Sequence, residues 1–496
     1  MRALLLFALG GMLACNIMPD EPSDQPPTPG PPAAVSFIVQ SASGGPTVPP
    51  DFLGLGFEIP VMADPGLSDP VLLRLLSNLG PGSLRFGGSS VEGTVWSPDS
   101  AIAETSDFQL TPARVDRVFA LARQIGWRVT VAVALARFDS AAAAAEAAYL
   151  VGNGGDALLG VEVGNEPNLY AAQGLRSPAW NVDSLAAEYD AYAAAILARA
   201  PATPLVAPAT WCTGGGAWFT EFLDRRHAPI AFTSHHFYPM GRTAPAGSPE
   251  EATVANMLSP ELMARSRACV DSAAASAASR TLPLRVDETN SAFGFGQPGV
   301  SDVFASALWG LDHLFTLAEL GVAGVNVQTG TDLQGGLSCA GVYLPVCDGE
   351  KGFIPRPLYY AMLMFHQAAV GRLVPVQVTG ANETNVVAHA AVSGDGKVRL
   401  TIINKDDVTP VNASITLVPG MSPAQTTVLR LSARSLLSQS VTLGGSAVGK
   451  DGSWSPTGLE AVAGGNYNIS VPPASAALVV FGQEPLVAAR ADQPTP

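Results

Sequence analysis

Two stretches of this chain place a glutamate directly after an apolar run, each in polar company. They are Val161-Glu162-Val163-Gly164-Asn165-Glu166-Pro167-Asn168 and Leu284-Arg285-Val286-Asp287-Glu288-Thr289-Asn290. A carboxylate at the end of a buried strand loses solvation unless it is paired or used. One such glutamate is explained by a salt bridge; two at equivalent strand ends point to a working pair. Two carboxyls with different proton affinities can divide a reaction between them. One gives a proton to a leaving oxygen while the other, ionised, attacks an acetal carbon, which is the chemistry of cutting a glycosidic bond. Glu166 and Glu288 must then project into one cleft, about 5–5.5 Å apart if the anomeric configuration is to be retained.

The elements that would position them follow from periodicity. From Phe52 onward, apolar strand-like runs alternate with helical patterns, the signature of βα units around a parallel sheet. Strands are predicted near Leu53–Ile59, Ser83–Phe86, Arg128–Ala134, Leu158–Gly164, Pro204–Ala207, Ile230–His235, Leu284–Asp287 and Gly324–Gln328. Helices are expected between them. Thr111–Ile125 carries Val115, Val118, Phe119 and Ala122 at helical spacing behind Pro112, and Ser301–Leu320 puts Phe304, Leu308, Leu311 and Phe315 on one stripe. Eight such repeats over residues 51–372 fit an α/β fold of the (β/α)8 TIM-barrel type; an open doubly wound sheet is the competing architecture. In a barrel the chemistry sits at the C-terminal strand ends, and strands four and seven face each other across the mouth. After a helix near Arg356–Val370 the pattern changes. Residues 373–487 alternate apolar and polar types, as in Val398-Arg399-Leu400-Thr401-Ile402-Ile403, and read as a C-terminal all-β sandwich. Residues 35–50 open with Val35-Ser36-Phe37-Ile38-Val39, a strand with no place in the barrel and expected to join the sandwich. Residues 488–496 are expected to be a disordered tail.

Bulk properties narrow the class of partner. With 27 Lys and Arg against 42 Asp and Glu the formal charge is −15. Such a surface repels phosphate backbones and anionic headgroups, which argues against nucleic acid as a partner. Arg2 precedes an apolar run from Ala3 to Ala14, too short to span a bilayer but suited to a signal peptide over residues 1–14. Met12-Leu13-Ala14-Cys15 is similar to a bacterial lipoprotein processing site. Cys15 is therefore a lipidation candidate, and a membrane would be met only through that anchor. The chain is expected to be exported, as a cell-envelope lipoprotein or a secreted protein, with residues 15–34 a proline-rich tether. Four further cysteines remain: Cys212, Cys269, Cys339 and Cys347. An even count in an exported chain permits disulfides, and Cys339 with Cys347 could staple one loop. Their spacing matches no metal-ligand pattern, and no metal or organic cofactor is indicated.

Several motifs together resemble glycoside hydrolase family 79, the heparanase and β-glucuronidase family. These are Leu84-Arg85-Phe86-Gly87-Gly88, Gly164-Asn165-Glu166-Pro167-Asn168, Ser234-His235-His236-Phe237-Tyr238, Glu288-Thr289-Asn290-Ser291-Ala292 with Gly294-Phe295-Gly296, and Pro355-Arg356-Pro357-Leu358-Tyr359-Tyr360. They run in order from about Phe52 to Val370. The resemblance implies that Glu166 is the acid/base and Glu288 the nucleophile of a retaining glycosidase. Arg85 could keep Glu288 ionised, Asn165 would bond the sugar 2-hydroxyl, and Glu58 would accept from sugar hydroxyls. Of the adjacent histidines, strand alternation sends one into the mouth and the other toward the helices; His235 is expected at the nucleophile. Phe237 stands where the family has Tyr, and Tyr238 is the residue that could replace its hydrogen bond.

By the same resemblance a uronic-acid carboxylate is recognised by backbone N–H groups and a tyrosine on the loops after strands seven and eight. Gly294 falls in the first loop, and Gly341 with Tyr343 in the second. Phe293 and Phe295 depart from the family there. The implied substrate is a carbohydrate bearing a β-linked uronic acid. Sparse basic clusters and the acidic charge favour exo removal of a terminal glucuronic acid over endo, heparanase-like cleavage of sulfated chains. A non-catalytic, glycan-binding surface lipoprotein is the alternative from another class, and the intact carboxylate pair speaks against it.

Overall fold

The computed structural model describes residues 27–40, 44–99, 107–212, 216–381, 384–417, 425–463 and 467–482. The expected signal peptide, Cys15 and the tail at 488–496 lie outside the described residues.

Eight parallel strands form the centre: β1 (Leu53–Glu58), β2 (Ser83–Gly87), β3 (Arg128–Val133), β4 (Leu158–Val163), β5 (Leu205–Val206 with Thr210–Trp211), β6 (Thr233–Phe237), β7 (Leu284–Thr289) and β8 (Gly324–Thr329). Their residues are almost all buried, as strands enclosed by helices must be, and several carry polar or charged side chains, among them Arg85, Glu162, His236, Asp287, Asn326 and Gln328. Pairing runs β4–β3–β2–β1–β8–β7–β6, and β5 closes the ring in two pieces. Its first half pairs with β4 and its second with β6, with a parallel bridge from Val206 to Phe232 between them. The barrel fold expected from the strand count is therefore present, and the open-sheet alternative is not.

A helix follows every strand: α1 (Pro70–Ser77), α2 (Pro112–Ile125), α3 (Ser140–Gly154), α4 (Val182–Arg199), α5 (Ala217–Arg225), α6 (Pro260–Ala278), α7 (Phe304–Glu319) and α8 (Pro357–Ala368). Their starts are set by local chemistry. Pro opens α1, α2, α6 and α8, while Asp69, Asp139, Asn181 and Ser259 accept from first-turn amides of α1, α3, α4 and α6. Among the described residues, no helix is long and apolar enough to cross a membrane.

The second layer is a sandwich. Ala33–Val39 pairs antiparallel with Val376–Thr379 and parallel with Val411–Thr416, and Tyr467–Val471 completes that sheet. The facing sheet runs through Val386–Val392, Val398–Asn404, Ser475–Phe481 and Gln425–Ala433. Phe37, Leu400, Val428 and Val479 fill the space between. Two sequence expectations change at the junction with the barrel. α7 is buried on every side rather than along one stripe, and Val398–Asn404 is buried throughout rather than on alternate residues. The reason is common to both: the second sheet lies against the barrel helices, so neither element keeps a face for water. Charges at this contact are paired. Lys405 Nζ meets Asp312 of α7 at 2.8 Å, and His389 bridges Asp312 (3.0 Å) and Glu319 (2.7 Å).

Candidate active site

Glu166 stands just beyond β4 with a left-handed backbone (φ 50°, ψ 50°), a conformation that costs a non-glycine residue about 1 kcal/mol or more and concentrates at functional sites. Its amide donates to Ala209 O, between the two pieces of β5, at 2.9 Å, fixing the turn. Gly164, two residues earlier, also has φ 79°, and a Cβ there would press on the Tyr170 hydroxyl. Glu288 sits within β7 itself. The two carboxylates and His236 each place an oxygen or nitrogen within 4.8 Å of the others. The pair predicted from strand ends thus meets in one pocket.

Arg85, wholly buried at the end of β2, organises the floor. Its Nη1 donates to Glu288 Oε2 at 2.7 Å, its Nε to Glu162 Oε2 at 2.8 Å and its Nη2 to Asn165 Oδ1 at 3.0 Å. Tyr238 adds the second bond to the proposed nucleophile, donating from its hydroxyl to Glu288 Oε1 at 3.0 Å. One carboxylate therefore receives both a guanidinium and a phenol donor. Glu166 has a different environment. Burial pushes its proton affinity up and the nearby Glu288 adds to this, while a 3.1 Å contact with His236 Nδ1 opposes both. Glu58, at the end of β1, is pushed up to about 8 by burial and then by Glu288; it accepts from the Ser90 amide at 2.8 Å. Gly88 must lack a side chain because a Cβ would collide with the Glu58 carboxyl.

The histidine expectation needs correction. His236, not His235, turns into the mouth, and His235 points to the helices against Thr210 Oγ1 (3.0 Å) and the Phe219 ring. The pairing of β6 with β7 shifts register between Ser234 and His236, and such a bulge re-aims side chains relative to simple alternation. Burial, and then His236, lower His235 to about 3, so it is neutral packing. Burial and Arg85 oppose protonation of His236, yet Glu288, Asp287 and Glu166 raise it to about 10. The cation lies between Glu166 and Glu288 on one side and Asp287 on the other, at 3.4 Å from its Nε2.

Three further participants escaped the sequence reading. Glu162, raised to about 7 by burial, and Asp287, held low by Arg85 and His236 despite burial, complete the charged floor. With His236 they have the spacing to hold a metal ion, but the Arg85 guanidinium already binds Glu162 there. Glu92 accepts from the amides of Leu135, Ala136 and Asn165 and from the Tyr170 hydroxyl, tying the ends of β3 and β4 together. A lone Glu in a short helical turn carries no sequence signal for this role.

Tyr343 is buried beside the Tyr238 hydroxyl, in the field of Glu288 and Glu58. Gly341 lies in the same loop, where Cys339 and Cys347 are joined in a disulfide; Cys212 and Cys269 form another. Gly294 (φ 85°) lies in the neighbouring loop, where Phe295 packs edge-on against the Tyr343 ring at 6.1 Å.

Residues 388–478, within the sandwich, match the pattern of the glycosyl hydrolase family 79 C-terminal beta domain. The baicalin-beta-D-glucuronidase of Scutellaria baicalensis is 25% identical over 201 residues, 40% of this chain and 35% of that protein. The beta-glucuronidase of Aspergillus niger is 26% identical over 263 residues, 49% of this chain and 47% of that protein. The sandwich thus resembles the C-terminal domain of glycoside hydrolase family 79. The chain matches about a third to a half of the length of those curated relatives. Its fold is also that of a 4-O-alpha-L-rhamnosyl-beta-D-glucuronidase from Fusarium oxysporum 12S, with a TM-score of 0.72, 22% identity, and coverage of 90% of this chain and 99% of that one. The alpha-L-arabinofuranosidase of Thermotoga maritima is similar at a TM-score of 0.65 and 16% identity, over 90% and 99% of the two chains.

Proposed function

We propose that the chain is a retaining exo-β-glucuronidase that removes a terminal β-linked glucuronic acid from a glycan. The observation that carries this reading is the meeting of Glu166 and Glu288 within 4.8 Å, in environments that separate their roles. Glu166 gives its proton to the glycosidic oxygen as the bond from that oxygen to the anomeric carbon breaks. Glu288 Oε attacks the same carbon and forms a glycosyl ester. Water then enters, loses a proton to Glu166 and displaces Glu288, restoring both groups. Arg85 and Tyr238 hold the nucleophile during attack. Asn165, fixed by Arg85, would meet the sugar 2-hydroxyl.

The uronate carboxylate would be met by the amides near Gly294 and Gly341 and by the Tyr343 hydroxyl. A protonated Glu58 would act there as a donor rather than a repelling charge. The net charge of −15 supports exo action on one anionic sugar over gripping a polysulfated chain. Two disulfides support an exported protein, since such bonds persist in oxidising compartments.

An aryl-glycoside panel with p-nitrophenol release tests the sugar. The β-glucuronide should be turned over, and Glu288→Ala should abolish the release. Proton NMR of the first-formed sugar tests the mechanism: β-glucuronic acid is expected, and initial α-anomer would refute retention. Turnover of neutral hexosides in preference to the glucuronide would refute the sugar assignment.

A further inference from the structure

Beside the carboxylate pair the structure builds an aromatic wall of which the mechanism above uses only the Tyr238 hydroxyl. Trp211, at the end of the second half of β5, stacks on Tyr238 with ring centres 5.5 Å apart and planes 16° from parallel. Phe293 stands edge-on to both, at 5.5 Å from Trp211 and 6.2 Å from Tyr238. Tyr238 touches Glu288 at one end of this series, while Phe293 is 52% exposed at the other. The rings therefore lead from the nucleophile out to solvent.

Trp211 is held in place with unusual redundancy. Asn168 grips its backbone twice, donating to Trp211 O at 2.9 Å and accepting from Trp211 N at 3.0 Å. The next residue, Cys212, donates its amide to His236 O at 3.0 Å and is disulfide-bonded to Cys269 of α6. Asn168 lies two residues beyond Glu166, so the indole is anchored to the loop that carries the proton donor. The group that accepts that proton is the leaving oxygen, which sets Trp211 on the leaving-group side of the scissile bond. An apolar ring left open to water at such a place has a use when a flat apolar surface docks on it, since aromatic pairs contribute about 0.5–1.5 kcal/mol beyond their buried area.

We propose that Trp211 and Phe293 form a leaving-group subsite selective for planar aryl aglycones. This rests on the glucuronidase reading and revises its leaving group: an aryl aglycone stands where that reading put a glycan.

The test compares 4-methylumbelliferyl β-D-glucuronide with methyl β-D-glucuronide, by kcat/KM, in the unaltered chain and in Trp211→Ala, Phe293→Ala and Trp211→Phe. The ratio of the two kcat/KM values cancels any general loss of folded enzyme. It should fall about tenfold in each alanine variant and less than threefold in Trp211→Phe. A ratio unchanged in both alanine variants overturns the proposal, because the rings then serve structure or the glucuronyl subsite alone. A unaltered-chain preference for a glucuronyl disaccharide over the aryl substrate also overturns it. Absence of turnover of every glucuronide by the unaltered chain instead refutes the glucuronidase reading itself, and the inference falls with it.

Discussion

Glu146 offers a measurement that separates burial from function. It lies on the inner face of α3 among Ala143, Ala144, Ala147 and Leu150, and its Oε1 has no hydrogen-bond partner. Burial alone pushes its carboxyl from 4.5 up to about 8. The folded chain therefore keeps this proton up to about pH 8, whereas the unfolded chain releases it near 4.5. Between those values the folded state binds more protons, so folding stability falls as pH rises. At about 1.4 kcal/mol per pH unit, the loss reaches roughly 5 kcal/mol by pH 8 and about 3 kcal/mol at pH 7. The cavity of about 220 Å³ under β1 does not touch this residue; a separate one of about 210 Å³ does, and water entering it makes 5 kcal/mol a ceiling. Glu146→Gln keeps the shape and removes the titration. Thermal unfolding followed by calorimetry from pH 5 to 9 should give the two proteins similar midpoints at pH 5 and a variant advantage of several degrees that grows toward pH 9. Parallel midpoint curves across that range would refute the reasoning, because the carboxyl would then be ionised or paired in the folded chain.

Tyr238→Phe removes the phenol donor at 3.0 Å from Glu288, and a hydrogen bond to a charged group contributes about 1.5–3 kcal/mol. kcat/KM for an aryl β-glucuronide should fall about 10–100-fold, and a change under twofold would remove Tyr238 from the mechanism. Lys405→Met leaves Asp312 buried with His389 as its remaining close cation. Breaking a buried pair costs about 3–5 kcal/mol, so the calorimetric midpoint should drop by several degrees; an unchanged midpoint would refute the pairing. His389 is raised to about 9 by Asp312 and Glu319 against the opposing effect of burial. Its contribution is full below pH 6.5 and is lost as pH rises through 9, a slope that His389→Gln should flatten in the same scans. Replacing both Cys339 and Cys347 by Ala frees the loop that carries Gly341 and Tyr343. KM for the glucuronide should rise several-fold with kcat little changed, and a selective loss of kcat would place the loop in the chemical step instead.

The barrel was legible because short strand-like runs alternate with helical patterns from Phe52 onward, with a glutamate at or just past two of the strand ends, a pattern that needs no partner to be seen. The catalytic candidates follow from the same local signal, whereas Tyr238 was named only through the family resemblance, and its bond to Glu288 takes the place open at Phe237. His236 was missed because a register shift in one strand reverses the sense of alternation, and nothing local marks the shift. Glu162 and Asp287 were in view as parts of motifs, but their work depends on Arg85, which reaches them from another strand. Glu92 and the pairing of Cys212 with Cys269 across 57 residues are products of the tertiary fold. The one-sided reading of α7 failed for the opposite reason: its sequence carries a stripe, and the sandwich covers the remainder.

That helix has a practical consequence. It is the outer wall of one unit and the inner wall of the next, so no cut between them leaves two surfaces ready for solvent. A fragment ending after α8 would present Asp312, stripped of Lys405 and His389, amid a sheath of bare hydrocarbon. The sandwich is better understood as a lid grown into the barrel than as cargo attached to it, and gene fusions that exchange it would have to carry a matching helix along.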